Sequence, residues 1–575
     1  MDQKIIEKAK DWGSNPYFSE IDRQEIQSLL KNEKANEIEL TERFYRDLEF
    51  GTGGLRAPMG MGQNRMNKYN VRRATQALSQ MIIKNFGGGS AVISYDSRNN
   101  SKEFALEAAG VFAGNGIKAY VFHALTPTPM LSYGVRHYKA QAGIMITASH
   151  NPPIYNGYKA FWNDGAQVVP PVDKDIIVAY NSLQNWEKIK FIPFEEAVSK
   201  GLAAWTDEKL DNDFYKVIES KVIQDTNMCK NHGSELSIVY TALHGTGLVP
   251  CLEILKRLGF SKTFSIAEQA KPDGNFPTVK SPNPEDPKAL KLAVDQMLSS
   301  NADIVYGTDP DCDRLGVVVN ANGKAEFING NQIAVLMLYY LFKRKAEFKT
   351  IPSKALVLKS IVTSPLQNAI VESFGGTVMD TLTGFKWMAG LIRDLEEKKS
   401  GHNFVFASEE SFGYMPHCES RDKDGVSSVA LMSEVALYFK LQGKTLIDAL
   451  DEIYSAYGFY YESLVSQDYE GLAGAQKINR IMEFFRNYPE SHFAGEKIVA
   501  TEDYEKGLNL PKSNVLSFTF ESGNKLFLRP SGTEPKIKFY TMVRETEGDL
   551  AKKKANALNK VNIIETKIRE YCEKA

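Results

Sequence analysis

The sequence predicts an α/β protein: three similar mixed or parallel α/β domains followed by a C-terminal α+β domain. Two observations carry this. Short apolar segments such as AVISY (91–95), AGIMIT (142–147), ADIVYG (302–307) and ALVLKS (355–360) alternate with segments of helical periodicity, the pattern of strands buried on both faces under crossover helices. The alternation also restarts twice, giving three blocks of similar size, as expected of three related layered units. The 575 residues agree with this, since domains of about 150 residues would number roughly four.

In order, residues 1–50 read as a helical lead-in, because IDRQEIQSLLKN and ANEIELTERFYRDLEF carry apolar residues at three- and four-residue spacings. A glycine-rich turn at 51–62 precedes a helix over 71–85. The first block then runs AVISY (strand), SKEFALEAAGVFAGNG (helix ended by Gly116), KAYVFH (strand), PMLSYGVRHY (helix), AGIMIT (strand). The second has LSIVYT and ADIVYG as strands, with LVPCLEILKRLG and ALKLAVDQMLSS as helices. Its Pro- and Asn-rich stretch 271–288 reads as an ordered loop. The third has NQIAVLMLYYLFKR and PLQNAIVESFGG as helices among the strands ALVLKS, TVMDT and NFVFAS. The last block, with strands at VLSFTF and KLFLRP and long helices at 471–487 and 547–571, reads as α+β. The expected domains are 1–205, 206–325, 326–455 and 456–575.

Lys plus Arg number 69 and Asp plus Glu 71, a net charge of −2. That balance argues against nucleic-acid and membrane-surface partners, which call for a basic excess or stripe. The longest apolar run, 333–342, is ten residues, too short to cross a bilayer. The start, MDQKIIEKAKDWGSN, lacks the apolar core of a signal peptide. Five scattered cysteines without a C-x-x-C read as free thiols, which places the protein in the reducing cytoplasm.

Five segments carry polar residues in arrangements with a chemistry. In ITASHNPPIYNGYKAFWNDG (146–165), Ser149 and His150 follow the end of a strand, where parallel sheets bind ligands. Asn151-Pro152-Pro153 forces a turn. Locally, a catalytic hydroxyl and a capping serine both fit; a serine hydrolase lacks its G-x-S-x-G elbow. In YGTDPDCDRLGVVV (306–319), Asp309, Asp311 and Asp313 alternate along an extended turn, which puts three carboxylates on one side. Their repulsion calls for a hard divalent cation, magnesium first. An EF-hand fails, because position six is Arg314 and position twelve Asn320.

LRPSGTEPKIKFY (528–540) combines Arg529, Ser531, Gly532 and Thr533 with Lys536 and Lys538. That is an oxyanion cradle or an ordinary basic turn. In FASEESFGYMP (406–416), Glu409 and Glu410 would point to opposite faces of a strand and so do not form a glycosidase pair. Glu409 and Ser411 would share a face, suited to two adjacent sugar hydroxyls; a helix N-cap at Ser408 competes. FGTGGLRAPMGMGQNRMN (50–67) delivers Arg56 on a glycine turn that is neither a Walker loop nor a dinucleotide fingerprint. TALHGTG (241–247) reads as a tight strand-to-helix turn.

Together these segments resemble the α-D-phosphohexomutase superfamily, the phosphoglucomutase and phosphomannomutase enzymes. T-A-S-H-N-P around Ser149 resembles its phosphoserine loop, G-T-D-P-D-C-D-R its magnesium loop, and R-P-S-G-T-E-P its phosphate loop. S-E-E-S-F-G resembles its sugar loop, with Ser408 in place of the first Gly, and G-T-G-G-L-R its N-terminal arginine turn. The order and spacing of all five fit, across nearly the whole chain. The length, the lead-in, T-A-L-H-G-T-G and R-D-K-D-G (421–425) look more like the long branch, which also includes phosphopentomutases and glucose-1,6-bisphosphate synthases.

The resemblance implies four domains around a central cleft, a phosphosugar substrate, and a monomer or dimer. It implies that Ser149 carries a phosphoryl group and that Asp309, Asp311, Asp313 and an oxygen on Ser149 bind Mg2+. Glucose 1,6-bisphosphate would be intermediate and activator. By position in the matching motifs, Arg56, His150, Lys159 and Lys423 would line the cleft as charges or acid–base groups. Thr383, Gly384, Phe385 and Lys386, in DTLTGFKWM, match a further sugar loop beside Glu409 and Ser411. Arg529, Ser531, Gly532 and Thr533 would hold the phosphate that is not reacting. The expected reaction joins glucose 1-phosphate and glucose 6-phosphate, with mannose phosphates as a second pair. The alternatives are a phosphopentomutase or a bisphosphate synthase, a non-catalytic sugar-phosphate binder, and a phosphatase that hydrolyses its phosphoenzyme.

Overall fold

The computed structural model describes residues 2–51, 54–469, 471–531 and 536–574. They form two compact units that do not follow chain order. The first comprises Met1–Phe327, Ala389–Lys398 and Gly413–Leu437; the second, Ile328–Met388, Lys399–Phe412 and Tyr438–Ala575.

In the first unit the lead-in forms three helices, Gln3–Ser14, Glu20–Leu30 and Glu37–Phe44. They enclose a small core of Trp12, Phe18, Phe44 and Tyr69. The third helix stops at Phe44, short of the expected Phe50. There the backbone turns to other partners: the Arg43 carbonyl accepts the Asn64 N–H, and the Leu48 N–H donates to the Gln63 carbonyl, both at 2.9 Å.

The main sheet has six strands in the order Gly54–Pro58, Tyr155–Trp162, Ala142–Ile146, Ser90–Tyr95, Lys118–Val121, Ala203–Trp205. The last four are parallel, and Tyr155–Trp162 runs antiparallel to both its neighbours. The sheet is therefore mixed. Sequence periodicity missed Tyr155–Trp162 because Asn156, Gly157 and Lys159 break its apolar run; what makes it a strand is its pairing on both edges. A second sheet orders Lys324–Ile328, Leu315–Ala321, Ile304–Thr308, Ile238–Thr241, Thr263–Ser265. Leu315–Ala321 returns antiparallel to Ile304–Thr308, so the segment 309–314 is the connection of a hairpin. Ser149 and Asp309 thus both lie just past the C-terminal ends of strands.

In the second unit Ala355–Ser360 lies between Thr377–Thr381 and Asn403–Glu409, all parallel. The C-terminal region is a six-stranded sheet, ordered Phe459–Asp468, Lys536–Glu545, Lys525–Pro530, Leu516–Phe520, Glu496–Asp503, His492–Phe493, and antiparallel at every pairing of the five main strands. The helices Gly471–Arg486 and Leu550–Lys574 accompany it. The helix Leu446–Tyr457 of this unit was not expected from the sequence, nor were Phe385–Glu397 and Gly425–Lys440, most of whose residues belong to the first unit. All five cysteines are free. Among the described residues no helix is long and apolar enough to cross a membrane.

Candidate active site

In the first unit Ser149 is buried and sits at φ +50°, a left-handed conformation that is uncommon for a residue with a side chain. Both sides of its peptide are held. Its N–H donates to Thr147 Oγ1 at 2.8 Å, and its carbonyl accepts from the Arg98 guanidinium at 2.5 Å. The hydroxyl donates to Asp309 Oδ2 at 2.7 Å, with His150 Nδ1 at 3.1 Å on another side. Burial, and behind it the positive charges of Arg314 and Arg56, hold the His150 imidazole well below its ordinary pKa, and therefore neutral.

Asp309, Asp311 and Asp313 are all buried, and one oxygen from each lies within 4.8 Å of the others. The three carboxylates meet as expected, but not through extended alternation. The chain turns at Pro310 and Asp311, Cys312 takes φ +50°, and Asp309 Oδ1 accepts the N–H groups of Asp313 and Arg314 at 3.0 and 3.1 Å. Burial, then Asp313 and Asp311, push the Asp309 carboxyl far above its ordinary value. Asp313 moves the other way. Burial opposes its charge, but Lys423, Lys159 and Arg314 outweigh that and lower it. Asp311 Oδ1 and Asp313 Oδ1 are buried with no hydrogen-bond partner among the described residues. Two orphaned carboxylate oxygens in a cluster of three aspartates make a group that could hold a hard cation.

Lys159 reaches Asp311 Oδ2 at 2.7 Å and Asp313 Oδ2 at 3.3 Å. Burial works against its charge, yet the two carboxylates raise it, so it stays an ammonium. Lys423 lies 3.1 Å from Asp313 Oδ2. Arg56 is exposed on its strand and donates to Asn151 Oδ1 at 3.0 Å, next to the Ser149 loop. The structure therefore brings Ser149, His150, Lys159, Arg56, Lys423 and the three aspartates together within one unit.

Several supporting residues went unrecognised in the sequence. Thr128 donates its hydroxyl to Asp311 Oδ2 at 2.8 Å and its N–H to the Asp311 carbonyl at 2.9 Å. The turn 241–247 is more than a connector: the Thr246 N–H donates to the Pro310 carbonyl at 2.9 Å. A Cβ on Gly245 would stand 2.4 Å from Pro310 Cα, so only glycine lets the two loops touch. The segment 421–425 seats Lys423: the Gly425 N–H donates to the Cys312 carbonyl at 3.0 Å, and Asp422 Oδ2 accepts from Gln167 at 2.7 Å. A buried Arg421 is fixed by Glu396 at 2.7 and 2.8 Å. The sequence marked 421–425 and Lys423 only through the family resemblance of R-D-K-D-G; the parts of Arg421, Asp422 and Gly425 in seating Lys423 were not legible there.

The second unit holds the other expected site residues. Glu409 is the last residue of its strand and buried; its Oε1 accepts the N–H of Gly384, whose φ is +116°. Ser411 lies in the turn that follows, so the shared-face argument for Glu409 and Ser411 does not apply: the strand has already ended. Ser408 is no helix cap; it is in the strand, bonded to Gln367. Glu410 accepts from Ser360 at 3.1 Å and Thr363 at 3.3 Å, and burial, then Glu409, push its carboxyl up to about 7. Thr383 Oγ1 is buried with no hydrogen-bond partner among the described residues, Phe385 is buried, and Lys386 lies over the Trp387 ring at 5.1 Å.

Arg529 faces Lys538 directly across two antiparallel strands. Two cations opposed on one face repel unless an anion bridges them. Ser531 donates its N–H to the Lys536 carbonyl at 2.8 Å, closing the base of the loop. Gly532 and Thr533 lie outside the described residues. Lys538 also draws the Glu410 carboxyl downward, so the two motifs of this unit feel each other electrostatically.

Comparison with known proteins agrees with the motifs. Family models described as phosphoglucomutase/phosphomannomutase, alpha/beta/alpha domains I, II and III match residues 47–186, 215–323 and 329–457. A phosphoglucomutase of Staphylococcus aureus is 37% identical over 561 residues, covering 92% of this chain and 96% of that protein. Parafusin, a Paramecium phosphoglucomutase solved in an open form, superposes with TM-score 0.68 at 19% identity, over 92% of this chain and 96% of that one. A phosphoglucomutase/phosphomannomutase family protein from Burkholderia thailandensis gives 0.64 at 16% identity, over 91% and 97%. At such identities these two likenesses concern the fold.

Proposed function

We propose, because the chain belongs to the phosphoglucomutase/phosphomannomutase family and is a phosphohexomutase isomerase, that it interconverts glucose 1-phosphate and glucose 6-phosphate, with mannose phosphates as a second pair. The observation that supports this most is the hydroxyl of Ser149, 2.7 Å from a carboxylate of a trio that has two orphaned oxygens. A nucleophile and a cation site share one pocket of charge.

Magnesium fits the trio, since every donor is a carboxylate or hydroxyl oxygen. Asp309, Asp311, Asp313 and an oxygen on Ser149 would hold it, and when bound it neutralises charge on a transferring phosphoryl group. The chain's own residues do the rest. Ser149 carries the phosphoryl group. The substrate's free hydroxyl oxygen bonds to phosphorus as the bond to Ser149 Oγ breaks, and in the balance the hydroxyl proton ends on the freed Ser149 oxygen, which leaves a sugar 1,6-bisphosphate and a serine hydroxyl. The second phosphate returns to Ser149 and releases the isomer. Lys159 and Lys423 balance the anionic centre, and His150 orients the Ser149 hydroxyl. Thr383, Gly384, Phe385, Lys386, Glu409 and Ser411 receive the sugar. Arg529 and Ser531, with Gly532 and Thr533 of the same motif, hold the phosphate that is not reacting.

The family resemblance suggests that Glu409 and Ser411 grip O3 and O4, and glucose and mannose differ only at C2, so dual activity is expected. The test is one panel: kcat/KM for glucose, mannose, glucosamine, ribose and deoxyribose 1-phosphates with a sugar bisphosphate present. Glucose or mannose should lead. A pentose phosphate ahead by tenfold, about 1.4 kcal/mol, would overturn the choice in favour of a phosphopentomutase. Accumulation of bisphosphate as end product would favour a synthase, and phosphate release at the isomerisation rate a phosphatase.

A further inference from the structure

The loop after Ser149 has an accounting problem. Pro152 and Pro153 carry no N–H, and the turn hydrogen bonds of the segment, from Asn151 N–H to the Ala148 carbonyl and from Tyr155 N–H to the Pro152 carbonyl, both at 3.1 Å, leave the Ser149 and Asn151 carbonyls to another donor. One side chain solves it. Arg98 is buried, and its guanidinium donates to four carbonyls of this segment: Ser149 at 2.5 Å, Asn151, Pro152 at 2.9 Å and Tyr155 at 3.0 Å. The remaining nitrogen, Nε, lies 3.4 Å from Asp96 Oδ2, at the end of the strand Ser90–Tyr95. The Phe276 ring covers the guanidinium at 4.9 Å. Phe276 belongs to the 271–288 loop, which touches the same segment a second time, where Ser281 donates to the His150 carbonyl at 2.5 Å.

We propose that Arg98 is a positioning residue for the reaction: by gathering four loop carbonyls on one planar fork it holds Ser149 in its left-handed conformation, with the hydroxyl aimed at the cation site. The proposal rests on the reading of Ser149 as the phosphorylated group. A left-handed serine persists only where its surroundings over-determine it. Only a guanidinium offers five donors in a rigid plane; a lysine offers a point charge. With the fork lost, the loop relaxes, and a displacement of about 1 Å at a reacting atom costs on the order of 100-fold in rate.

The test uses the full chain. Phosphate on the Ser149 peptide of the wild-type protein is first checked by mass spectrometry. The phosphoenzyme is then labelled with radioactive sugar bisphosphate and left without substrate. Water attacks phosphorus, the bond to Ser149 Oγ breaks, and inorganic phosphate and the free serine hydroxyl result. Arg98→Lys, with a melting temperature near wild type, should lose its label about tenfold faster, because a loosened loop admits water. Its kcat should fall about 100-fold while KM moves less than about threefold. A merely structural arginine would change the folded fraction and leave the label's lifetime per folded molecule alone; that result overturns the proposal. If Arg98→Lys does not fold, Phe276→Leu decides. It removes the ring face under the guanidinium and should shorten the lifetime about threefold, while an unchanged lifetime overturns the proposal. Absence of phosphate from wild-type Ser149 is a different failure: it removes the phosphoserine reading and this proposal with it.

Discussion

Each unit buries clustered carboxylates, and the two clusters behave differently. Around Ser149, three aspartates meet with two oxygens that have no hydrogen-bond partner among the described residues, and Lys159 and Lys423 stand beside them. Around Glu409, two adjacent glutamates accept from neutral groups, the Gly384 N–H and the Ser360 and Thr363 hydroxyls, and Glu410 titrates near neutrality. The first arrangement offers oxygens of the kind that suit a hard cation. The second has met its electrostatics by hydrogen bonding and a raised pKa, in keeping with the proposal that it receives a neutral sugar. A count of acidic residues would not separate them; the donors around each oxygen do.

The sharpest way to break this contrast is Ser149→Ala. No neighbouring group can replace a covalent step, so turnover should fall at least about a thousandfold; near-normal turnover would mean that the cation-demanding cluster is not the reacting end. Chelation follows. Stripping metal should lower activity by about 100-fold or more, and added magnesium should restore it. Asp311→Asn should weaken the magnesium response, read as a shift in the concentration for half-activation. Full activity of metal-free protein would make the orphaned oxygens an oddity of packing.

Arg529→Ala probes the second unit. Loss of one charge-assisted bond, roughly 1.5–3 kcal/mol, should lower kcat/KM by about 10–150-fold. An equal loss on a substrate lacking the second phosphate would show that Arg529 acts elsewhere. The smallest effect concerns Glu410. Its folded pKa, about 7, is above the unfolded value of 4.5, so the fold binds an extra proton between those values. Its contribution to stability is fully present below pH 4.5 and is lost as pH rises through about 7. Glu410→Gln should therefore gain on wild type from pH 5 to 8, by about 1–3 kcal/mol. Parallel melting-temperature profiles for the two proteins would contradict this.

Legibility divides along physical lines. The parallel strands showed in the sequence because burial on both faces forces continuous apolar runs, as in Ala142–Ile146 and Ala355–Ser360. Gly54–Pro58 and Tyr155–Trp162 stayed hidden because pairing, not composition, makes them strands. The aspartate trio was legible because its members lie within five residues. The grip of Glu409 and Ser411 was argued on a strand that in fact ends at Glu409.

By itself the sequence determined the strands buried on both faces and the motifs whose chemistry is local: a hydroxyl beside an imidazole, three carboxylates in five residues, an arginine beside two hydroxyls. Tertiary structure alone decided which of these meet. Lys159 reaches Asp311 across 152 positions, Lys423 comes from a segment that joins the first unit out of chain order, and Arg98 finds four carbonyls more than fifty residues away. A lone lysine or arginine carries no signal of its partner, because the partner is chosen by the path of the sheets. Periodicity reports which face of an element is buried, but not which charges that burial brings together.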